Sequence, residues 1–312
     1  MNYRDFGSTG MKVSEMGLGA WQLANVYDWG ISDTTDAEAI VTASLDDGVN
    51  FFDTAPYYGK GMSETCLGNV LKPYRERVIL CTKFGHTEDW QIHYETRSVR
   101  KQLEGSLRRL QTDHIDIYLA HNPPVDMMDG NKTDLYDELQ KLKEEGKILS
   151  YGISLDHADE LAVMLETTQC TAAEVFYNAF HQEQGLYFEK AQNQGVGLIV
   201  KVPLESGWLT GKYHSNSVFT DNRRRWSPEE IKRRADLVDK LAALLPPGVS
   251  LPLAALAFCL AQPQVSTVIP GAKSVTQVHA NNAATSLSLP PSVVTSIREL
   301  WEKEIKPHPL GW

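Results

Sequence analysis

The sequence contains few cysteines and no long apolar run. Its four cysteines, Cys66, Cys81, Cys170 and Cys259, lie far apart and form no C-x-x-C pair, which argues against a disulfide framework and against a zinc cluster. No run of about eighteen apolar residues occurs, and the N-terminal residues lead into no apolar segment typical of a signal peptide. We therefore expect a cytoplasmic protein without a membrane-spanning segment.

Positive charge is also scarce. Thirty lysines and arginines against forty aspartates and glutamates give a net charge of −10, the wrong sign for broad attraction to nucleic acid or anionic lipid. The nine histidines show no paired metal-ligand spacing such as H-E-x-x-H, and the segment Gly17–Gln22 lacks the last glycine of a Rossmann fingerprint. The sequence thus predicts no nucleic-acid partner, no membrane partner, no metal site and no Rossmann domain.

Short apolar runs alternate with longer helical patterns along most of the chain. Candidate strands begin near residues 16, 49, 78, 115, 149, 173, 197 and 267, and a plausible helix separates each pair of neighbours. The chain of 312 residues is long enough for two domains, but no linker rich in glycine, serine or proline marks a boundary. This alternation over about 250 residues favours the α/β class and a single TIM (β/α)₈ barrel domain spanning residues 1–312.

Potentially reactive side chains follow successive candidate strands. The residues directly after these apolar runs are Asp53, Lys83, His121 and Ser154. Because the carboxyl ends of barrel strands converge on one face, these side chains are expected to surround one cleft. Asp53 and Lys83 can pair, and an ammonium near Tyr58 is expected to lower the pKa of its phenol. With His121 as a hydrogen-bond partner, these groups suit proton delivery to a carbonyl oxygen.

A structural role is the alternative for each of these residues. A single polar residue after a strand is more often a helix cap, a salt bridge or a loop hydrogen bond. Ser154 is as well suited to cap the following helix as to bind a ligand. Four such residues at successive strand ends favour a functional site.

Six segments together carry a family resemblance. Asp53–Gly59 is similar to a D-T-A-x-x-Y-G loop, Thr82-Lys83 to a T-K pair after the third strand, and His121-Asn122 to a histidine motif after the fourth. The other three segments are Gly7–Ser14, Pro203–Lys212 and Ile269–Lys273. With these segments the sequence resembles the aldo-keto reductase superfamily across nearly the whole chain. The resemblance implies that Gly7–Ser14 forms an N-terminal β-hairpin that plugs the bottom of the barrel.

The resemblance implies an oxidoreductase that binds NADPH in extended form, with NADH less favoured. Hydride would pass between the nicotinamide and a carbonyl carbon while Tyr58 transfers the proton as general acid or base. Lys83, paired with Asp53, would lower the pKa of the tyrosine, and His121 would orient the carbonyl.

The resemblance also implies which residues contact the cofactor. A loop after the seventh strand, about residues 203–226, is expected to form part of that site. Lys273 is expected to contact the 2′-phosphate, the alternative being a solvated lysine in a turn. The run Arg223-Arg224-Arg225 is a further candidate for phosphate contacts, although such runs are usually solvated. The full set of predicted cofactor-binding residues is Gly19, Trp21, Ser154, Glu174, Lys201, Pro203, Leu204, Ser206, Gly207, Leu209, Gly211, Lys273, Ser274, Gln277 and Asn281.

Several positions depart from the family pattern. Leu155 follows Ser154 where many members have asparagine, and Glu174 stands where glutamine is frequent. Lys201 replaces a frequent aromatic residue or arginine near the nicotinamide, and Ala280 a frequent glutamate near the adenine. A carboxylate accepts hydrogen bonds from a carboxamide but donates none. These changes bear on cofactor affinity more than on the type of reaction.

Aromatic residues supply the candidate substrate site. The full set is Trp21, Tyr27, Tyr57, Trp90, His121 and Asn122. Aromatic walls with polar groups suit a sugar or another polyhydroxylated carbonyl compound, although the tryptophans are equally suited to cover the barrel ends. Two other functions stay open: a non-catalytic NADPH-binding regulatory subunit on the same barrel, and a hydrolase using Asp53 and His121. The sequence does not predict the oligomeric state.

Overall fold

The computed structural model describes residues 1–29 and 34–311. Two antiparallel strands, β1 (Tyr3–Asp5) and β2 (Lys12–Ser14), form an N-terminal hairpin. Eight parallel strands follow: β3 (Leu18–Gly19), β4 (Phe51–Asp53), β5 (Ile79–Phe84), β6 (Ile115–His121), β7 (Ile148–Leu155), β8 (Ala172–Phe176), β9 (Gly197–Lys201) and β10 (Val265–Val268). All eight candidate strands are confirmed.

Helices connect and cover these strands. They are α1 (Val26–Trp29), α2 (Thr34–Asp46), α3 (Met62–Leu71), α4 (Thr96–Leu110), α5 (Val125–Met128), α6 (Leu135–Glu144), α7 (Ala158–Thr167), α8 (Phe188–Asn193), α9 (Pro228–Ala242), α10 (Leu251–Leu260), α11 (Val275–Asn282) and α12 (Pro291–Leu300). The sequence did not predict α1, α5, α11 and α12. Among the described residues, no helix is both long and apolar enough to cross a membrane.

The first and last strands of the sheet meet and close it into a barrel. The sheet runs in chain order from β3 to β10, and isolated bridges join Met16 to Val268 and Gly19 to Gly271. The amide of Gly17 donates to the carbonyl of Val268 at 2.9 Å. Gly19 permits this approach, because a Cβ there would lie 2.7 Å from the carbonyl oxygen of Ile269. The predicted (β/α)₈ fold is confirmed.

The N-terminal hairpin closes the amino end of the barrel, as the family resemblance implied. Phe6 and Val13 of this hairpin are fully buried, and they pack in one cluster with residues of the barrel interior. The amide of Ser8 donates to the carbonyl of Gly195 at 2.8 Å, which fixes the hairpin against the turn before β9. The opposite, carboxyl end is therefore the open one.

The two-residue period of the strands places the reactive groups at that open end. Side chains two residues apart point to the same side of a strand. In the half of the barrel next to its amino end, the side chains that point into the interior include Phe51, Cys81, Ile117, Leu119, Ala172 and Ile199. Two residues after the last interior position of each of these strands come Asp53, Lys83, His121, Glu174 and Lys201. Apolar packing thus gives way to charged and polar groups along the same interior face.

One expectation about position needs correction. The sequence placed the reactive residues just after the strands, but Asp53, Lys83, His121 and Ser154 all lie inside strands. The parallel ladder extends further than the apolar runs, because backbone hydrogen bonds continue through polar residues at the barrel mouth.

Candidate active site

The predicted pair of Asp53 and Lys83 is confirmed. The Lys83 ammonium donates to Oδ1 of Asp53 at 2.7 Å and to Oδ2 at 2.6 Å, and to the carbonyl of Thr54 at 3.2 Å. The exposed fraction is 0% for Lys83 and 2% for Asp53. A buried charge of this kind is tolerated only when it is paired and hydrogen-bonded, and this pair meets both conditions.

Glu174 adds a second carboxylate to this pair. Its Oε2 lies 3.0 Å from Nζ of Lys83, and the residue is only 2% exposed. Burial raises the pKa of Asp53 to about 8, with the charge of Glu174 adding to the rise and Lys83 opposing it. Burial by itself would lower the pKa of Lys83, but Asp53 and Glu174 together raise it well above its usual value. We call Asp53, Lys83 and Glu174 the ion cluster.

The sequence assigned Glu174 to the cofactor and missed its contact with Lys83. The two-residue period of a strand could have indicated that Glu174 points into the barrel, because it follows the interior residue Ala172 by two positions. Ligand atoms of Asp53, Cys81 and Glu174 lie within 4.8 Å of one another, a spacing that also suits a metal. The ammonium of Lys83 lies between the two carboxylates and supplies the cation there.

Tyr58 lies beside the ion cluster, at the start of a tight turn after β4. Nζ of Lys83 is 5.5 Å from the centre of the Tyr58 ring. The turn depends on Gly59, whose φ is 56° and where a Cβ would lie 3.0 Å from the carbonyl oxygen of Ala24. Tyr58 keeps part of its surface exposed. The phenol is thus held at the mouth of the barrel.

The expected fall in the pKa of Tyr58 is wrong for this structure. Burial raises the pKa of the phenol, and although Lys83 lowers it, Asp53 and Glu174 oppose the lysine. The prediction considered the ammonium alone, and neither the burial of the phenol nor the two carboxylates beside Lys83. Tyr58 therefore carries its proton near neutral pH, the state that a general acid requires.

His121 ends β6 and faces Tyr58. The two ring centres are 5.8 Å apart and the rings are nearly perpendicular. Burial, followed by the charge of Lys83, lowers the pKa of His121 well below its usual value, so its imidazole is neutral. Its Nδ1 is buried without a hydrogen-bond partner among the described residues.

The hydrolase alternative requires an aspartate that orients the histidine. Both carboxylate oxygens of Asp53 bind Lys83, and within residues 1–29 and 34–311 no hydrogen bond joins Asp53 to His121. The arrangement therefore lacks the Asp–His contact of a nucleophilic triad.

Ser154 connects the ion cluster to a second lysine. Its hydroxyl donates to Oε1 of Glu174 at 3.1 Å and accepts from Nζ of Lys201 at 2.9 Å. Lys201 also donates to Oδ1 of Asn122 at 2.9 Å and lies 2.7 Å from a carboxylate oxygen of Asp156. A continuous polar network thus crosses the barrel mouth from Asp53 to Asp156.

The capping alternative for Ser154 is wrong. Helix α7 begins after His157, which is its N-cap, and Glu160 completes a capping box there. Ser154 is fully buried inside β7, three residues before that cap.

A row of rings extends from the site toward solvent. Tyr27 and Trp90 have ring centres 5.1 Å apart, Tyr57 and Trp90 6.2 Å, and Tyr57 and His86 5.8 Å. His86 in turn is 5.1 Å from His121. We call Tyr27, Tyr57, His86 and Trp90 the aromatic wall. The sequence predicted three of its members, and His86 was missed.

Two further predicted substrate residues lie beside this wall. The ring of Trp21 is 6.0 Å from that of Tyr58, and its Nε1 donates to Asp28 at 2.9 Å. The amide of Asn122 is engaged at both ends, because Nδ2 donates to Asp156 and Oδ1 accepts from Lys201. Lys201 and Asp156 thus fix the orientation of Asn122.

The loop after β9 is built on a buried carboxylate. Glu205 is fully buried and accepts from Nδ2 of Asn178 at 2.9 Å, while His181 and Arg234 lie 3.2 and 3.5 Å from it. The backbone at residues 205–207 is left-handed, with φ of 48°, 50° and 94°. The change from Leu204, with φ of −105° and ψ of 17°, to left-handed Glu205 turns neighbouring amides toward one side, an arrangement that suits the binding of anions.

Several residues of this loop have structural roles. The side chain of Leu209 is fully buried in the core and its amide donates to the carbonyl of Leu204. The expectation that the arginine run is solvated fails for Arg223, which is buried. Its guanidinium donates to Asp221, to the hydroxyl of Tyr213 and to the carbonyl of Ser206. Arg223 therefore joins the two ends of the loop.

Lys273 lies on the segment after β10, in a positively charged environment. Partial burial, then the charges of Arg223 and Lys212, lower the pKa of Lys273, while Asp221 opposes them. The part of the lowering that Arg223 and Lys212 cause is repulsion between cations, and a phosphate would relieve that repulsion. These residues therefore fit a phosphate-bearing cofactor.

The other predicted adenosine-side residues help to build this segment. Ser274 caps helix α11 by accepting from the amide of Gln277, whose Oε1 accepts from the amide of Lys273 at 2.7 Å. Asn281 donates to the carbonyl of Gly271 at 3.3 Å. The segment is thus held in shape by its own side chains.

Comparison with known proteins gives a family match over most of the chain. The sequence pattern of the aldo/keto reductase family matches residues 15–302. The chain is 29% identical to an aldo-keto reductase of Bacillus halodurans solved in its holo form, with a TM-score of 0.82 over 96% of each chain.

Three named relatives differ in what they do. L-galactose dehydrogenase of Arabidopsis thaliana is 32% identical over 90% of this chain and 87% of its own length. A probable voltage-gated potassium channel subunit beta of the same plant is 28% identical over 98% of both chains. NADH-specific methylglyoxal reductase of Escherichia coli is 28% identical over 95% of this chain and 97% of its own.

Proposed function

The chain belongs to the aldo/keto reductase family and is an oxidoreductase acting on carbonyl or alcohol groups, and from this we propose an NADPH-dependent aldehyde or ketone reductase with Tyr58 as its general acid and base. The observation that carries the proposal is the buried ion cluster beside Tyr58 and His121 at the open end of the barrel.

Tyr58 transfers the proton, and Lys83 assists this transfer. In the reductive direction, Tyr58 donates its proton to the carbonyl oxygen, and the adjacent ammonium of Lys83 stabilises the phenolate that remains. In the oxidative direction, the phenolate accepts the proton of an alcohol. Asp53 holds Lys83 in place and keeps it charged.

His121 orients the carbonyl. A neutral imidazole presents one N–H donor and does not release its proton to the substrate. The charge of Lys83 and the burial of the ring both favour this neutral form. Tyr58 and His121 thus place two donors around one oxygen.

The residues present fit a nicotinamide dinucleotide. When bound, NADPH supplies the hydride. We assign Ser154, Glu174 and Lys201 to the nicotinamide end, and Lys273 with Ser274, Gln277 and Asn281 to the adenosine end. The loop of about residues 203–226 lies between them on the single barrel domain of residues 1–312. Its contacts come from Pro203, Leu204, Ser206, Gly207 and Gly211, with Gly19 and Trp21 opposite.

The preference for NADPH over NADH rests on Lys273. Lys273→Ala is expected to raise the Kd for NADPH by about tenfold or more and to change that for NADH by less than about twofold, because only NADPH carries the 2′-phosphate. Lys101→Ala, on the exposed face of α4, is the matched control. Titration of protein fluorescence with each cofactor measures both constants, and equal losses would show that Lys273 does not contact the 2′-phosphate.

A sugar or another polyhydroxylated carbonyl compound is the proposed substrate class. The aromatic wall offers apolar faces beside polar groups, the combination that binds carbohydrate rings and chains. L-galactose dehydrogenase is among the similar proteins. A cytoplasmic location remains part of the proposal, since all four cysteines are free and buried.

A regulatory subunit that binds NADPH without turnover is the second candidate. The similarity to a potassium channel subunit beta favours it, whereas the complete set of Asp53, Tyr58, Lys83 and His121 favours catalysis. Nicotinamide absorbance separates the two when the protein is mixed with NADPH or NADH and a panel of sugar aldehydes, ketoses and aromatic aldehydes. Consumption of the cofactor supports the enzyme, and binding without consumption in either direction favours the subunit.

A further inference from the structure

His86 reaches the site through a short, folded loop. It follows β5 by two residues, after Gly85, whose φ is 104°. The loop turns back on itself, because His86 forms an antiparallel bridge with Ile92 and the amide of His93 donates to the carbonyl of Gly85 at 2.7 Å. Gly85 is required here, since a Cβ would lie 1.9 Å from the ring of Tyr94. The backbone therefore holds the imidazole in a defined position.

Three rings surround His86. Its ring centre is 5.1 Å from that of His121, 5.8 Å from Tyr57 and 5.9 Å from Tyr94. These contacts leave the side chain partly exposed. His86 is thus the member of the aromatic wall in direct contact with a residue of the catalytic set.

The nitrogens of His86 have no hydrogen-bond partner within the described ranges. The neighbouring Tyr94 does not bind them, because its hydroxyl donates to the backbone carbonyl of His121. Burial lowers the pKa of His86, so the ring is neutral and carries one donor and one acceptor. Neither nitrogen is fully buried, so water reaches both in the free protein and a ligand group can take the place of that water. A hydroxyl, which both donates and accepts, matches this pair of nitrogens.

We propose that His86 determines specificity by binding the hydroxyl next to the reacting carbonyl, so that the substrates are 2-hydroxy aldehydes and ketones. The proposal rests on the proposed function, which places the carbonyl oxygen between Tyr58 and His121. A substituent on the neighbouring carbon then lies against the next ring beside His121, and that ring is His86.

The test compares two aldehydes that differ by one hydroxyl. Wild-type protein is expected to use 2-hydroxypropanal with a kcat/KM about tenfold or more above that for propanal, since an unsatisfied site disfavours the analogue that lacks the group. His86→Phe keeps an aromatic ring and removes both nitrogens. It is expected to lower kcat/KM for 2-hydroxypropanal about tenfold and to change that for propanal by less than about threefold.

Two further variants separate binding from packing. His86→Asn retains a donor and an acceptor and is expected to recover part of the preference, whereas His114→Phe, before β6 at the closed end, is expected to leave it unchanged. An unchanged preference in His86→Phe, or equal loss for both aldehydes, would overturn the assignment of His86 while leaving the reductase intact. Failure of the wild type to reduce either aldehyde would count against the proposed function itself.

Discussion

The ion cluster and the aromatic wall lie side by side at the barrel mouth but are built differently. The ion cluster lies inside three strands, is almost fully buried and is held by contacts of 3.0 Å or less. The aromatic wall lies mainly on loops, its rings meet at 5.1 to 6.2 Å, and Tyr27 and Trp90 are 54% and 43% exposed. Strands fix the position of a charge, whereas loops can change without disturbing the core. The difference supports the proposal that residues on the strands carry out the reaction and residues on the loops select the substrate.

Lys83→Met removes the cation from the ion cluster. The substitution leaves two buried carboxylates without a counter-charge, which is expected to cost about 3–5 kcal/mol in the free energy of unfolding. Activity is expected to fall by about a thousandfold or more, because Tyr58 loses the ammonium that stabilises its phenolate. Urea unfolding and steady-state kinetics measure the two effects.

The double variant Asp53→Asn/Lys83→Met is the control for stability. Removing the carboxylate charge together with the lysine is expected to recover part of the lost stability but none of the activity. If the single variant is as stable as the wild type, the ion cluster is not the buried, mutually dependent group described above.

Trp90→Ala opens the aromatic wall and leaves the ion cluster untouched. In the wild type the ammonium of Lys60 lies 4.4 Å from the centre of the Trp90 ring. The substitution removes this ring and with it about 0.5–1 kcal/mol of cation–π attraction. We expect KM for sugar aldehydes to rise by about threefold to tenfold with kcat within about twofold of the wild type. Trp90→Phe is the conservative control and should behave nearly as the wild type. A collapse of kcat would show that the wall takes part in the chemistry.

Glu174→Gln removes one negative charge from the ion cluster and keeps its shape. Glu174 helps to raise the pKa of Tyr58, so the variant phenol loses its proton at lower pH. In the proposed mechanism carbonyl reduction needs the protonated phenol, and the alkaline limb of its pH profile is therefore expected to move to lower pH. A pH profile of kcat/KM measures the shift, and an unchanged or opposite shift would contradict the charge assignment.

The same variant tests the pH dependence of stability. In the folded protein, burial and the charge of Glu174 raise the pKa of Asp53 above the value that this carboxyl has in the unfolded chain, although Lys83 opposes the rise. Between the unfolded and the folded pKa of Asp53, the folded state binds more protons than the unfolded chain. The free energy of unfolding is therefore expected to fall as pH rises through this window. With Glu174→Gln the pKa of Asp53 falls and the slope should flatten in urea unfolding.

Much of the ion cluster was predictable from the sequence. Asp53 and Lys83 each end an apolar run, and runs of that kind predict strands whose ends meet in a barrel. The pairing followed from the need of buried charges for partners. The pKa of Tyr58 did not follow, because it depends first on the burial of the phenol and then on the charges around Lys83, including Glu174, which reaches Lys83 from another strand.

The aromatic wall was less accessible to sequence reasoning. Tyr27, Tyr57 and Trp90 were predicted from their residue type, but nothing in the chain around His86 indicates which way its loop folds. The contact with His121 results from the turn at Gly85 and the bridge to Ile92, which link residues through backbone geometry. Loops lack the two-residue period that made the strand positions predictable.

The most direct test of the central claim is to compare wild-type protein with Tyr58→Phe. Nicotinamide absorbance measures turnover with a hydroxy aldehyde, and a fluorescence titration measures the Kd for NADPH. We predict that Tyr58→Phe binds NADPH within about threefold of the wild type and loses about 10²–10⁴-fold in turnover, because only the proton donor is missing. Turnover by Tyr58→Phe at the wild-type rate would contradict the assignment of Tyr58 as the general acid and base.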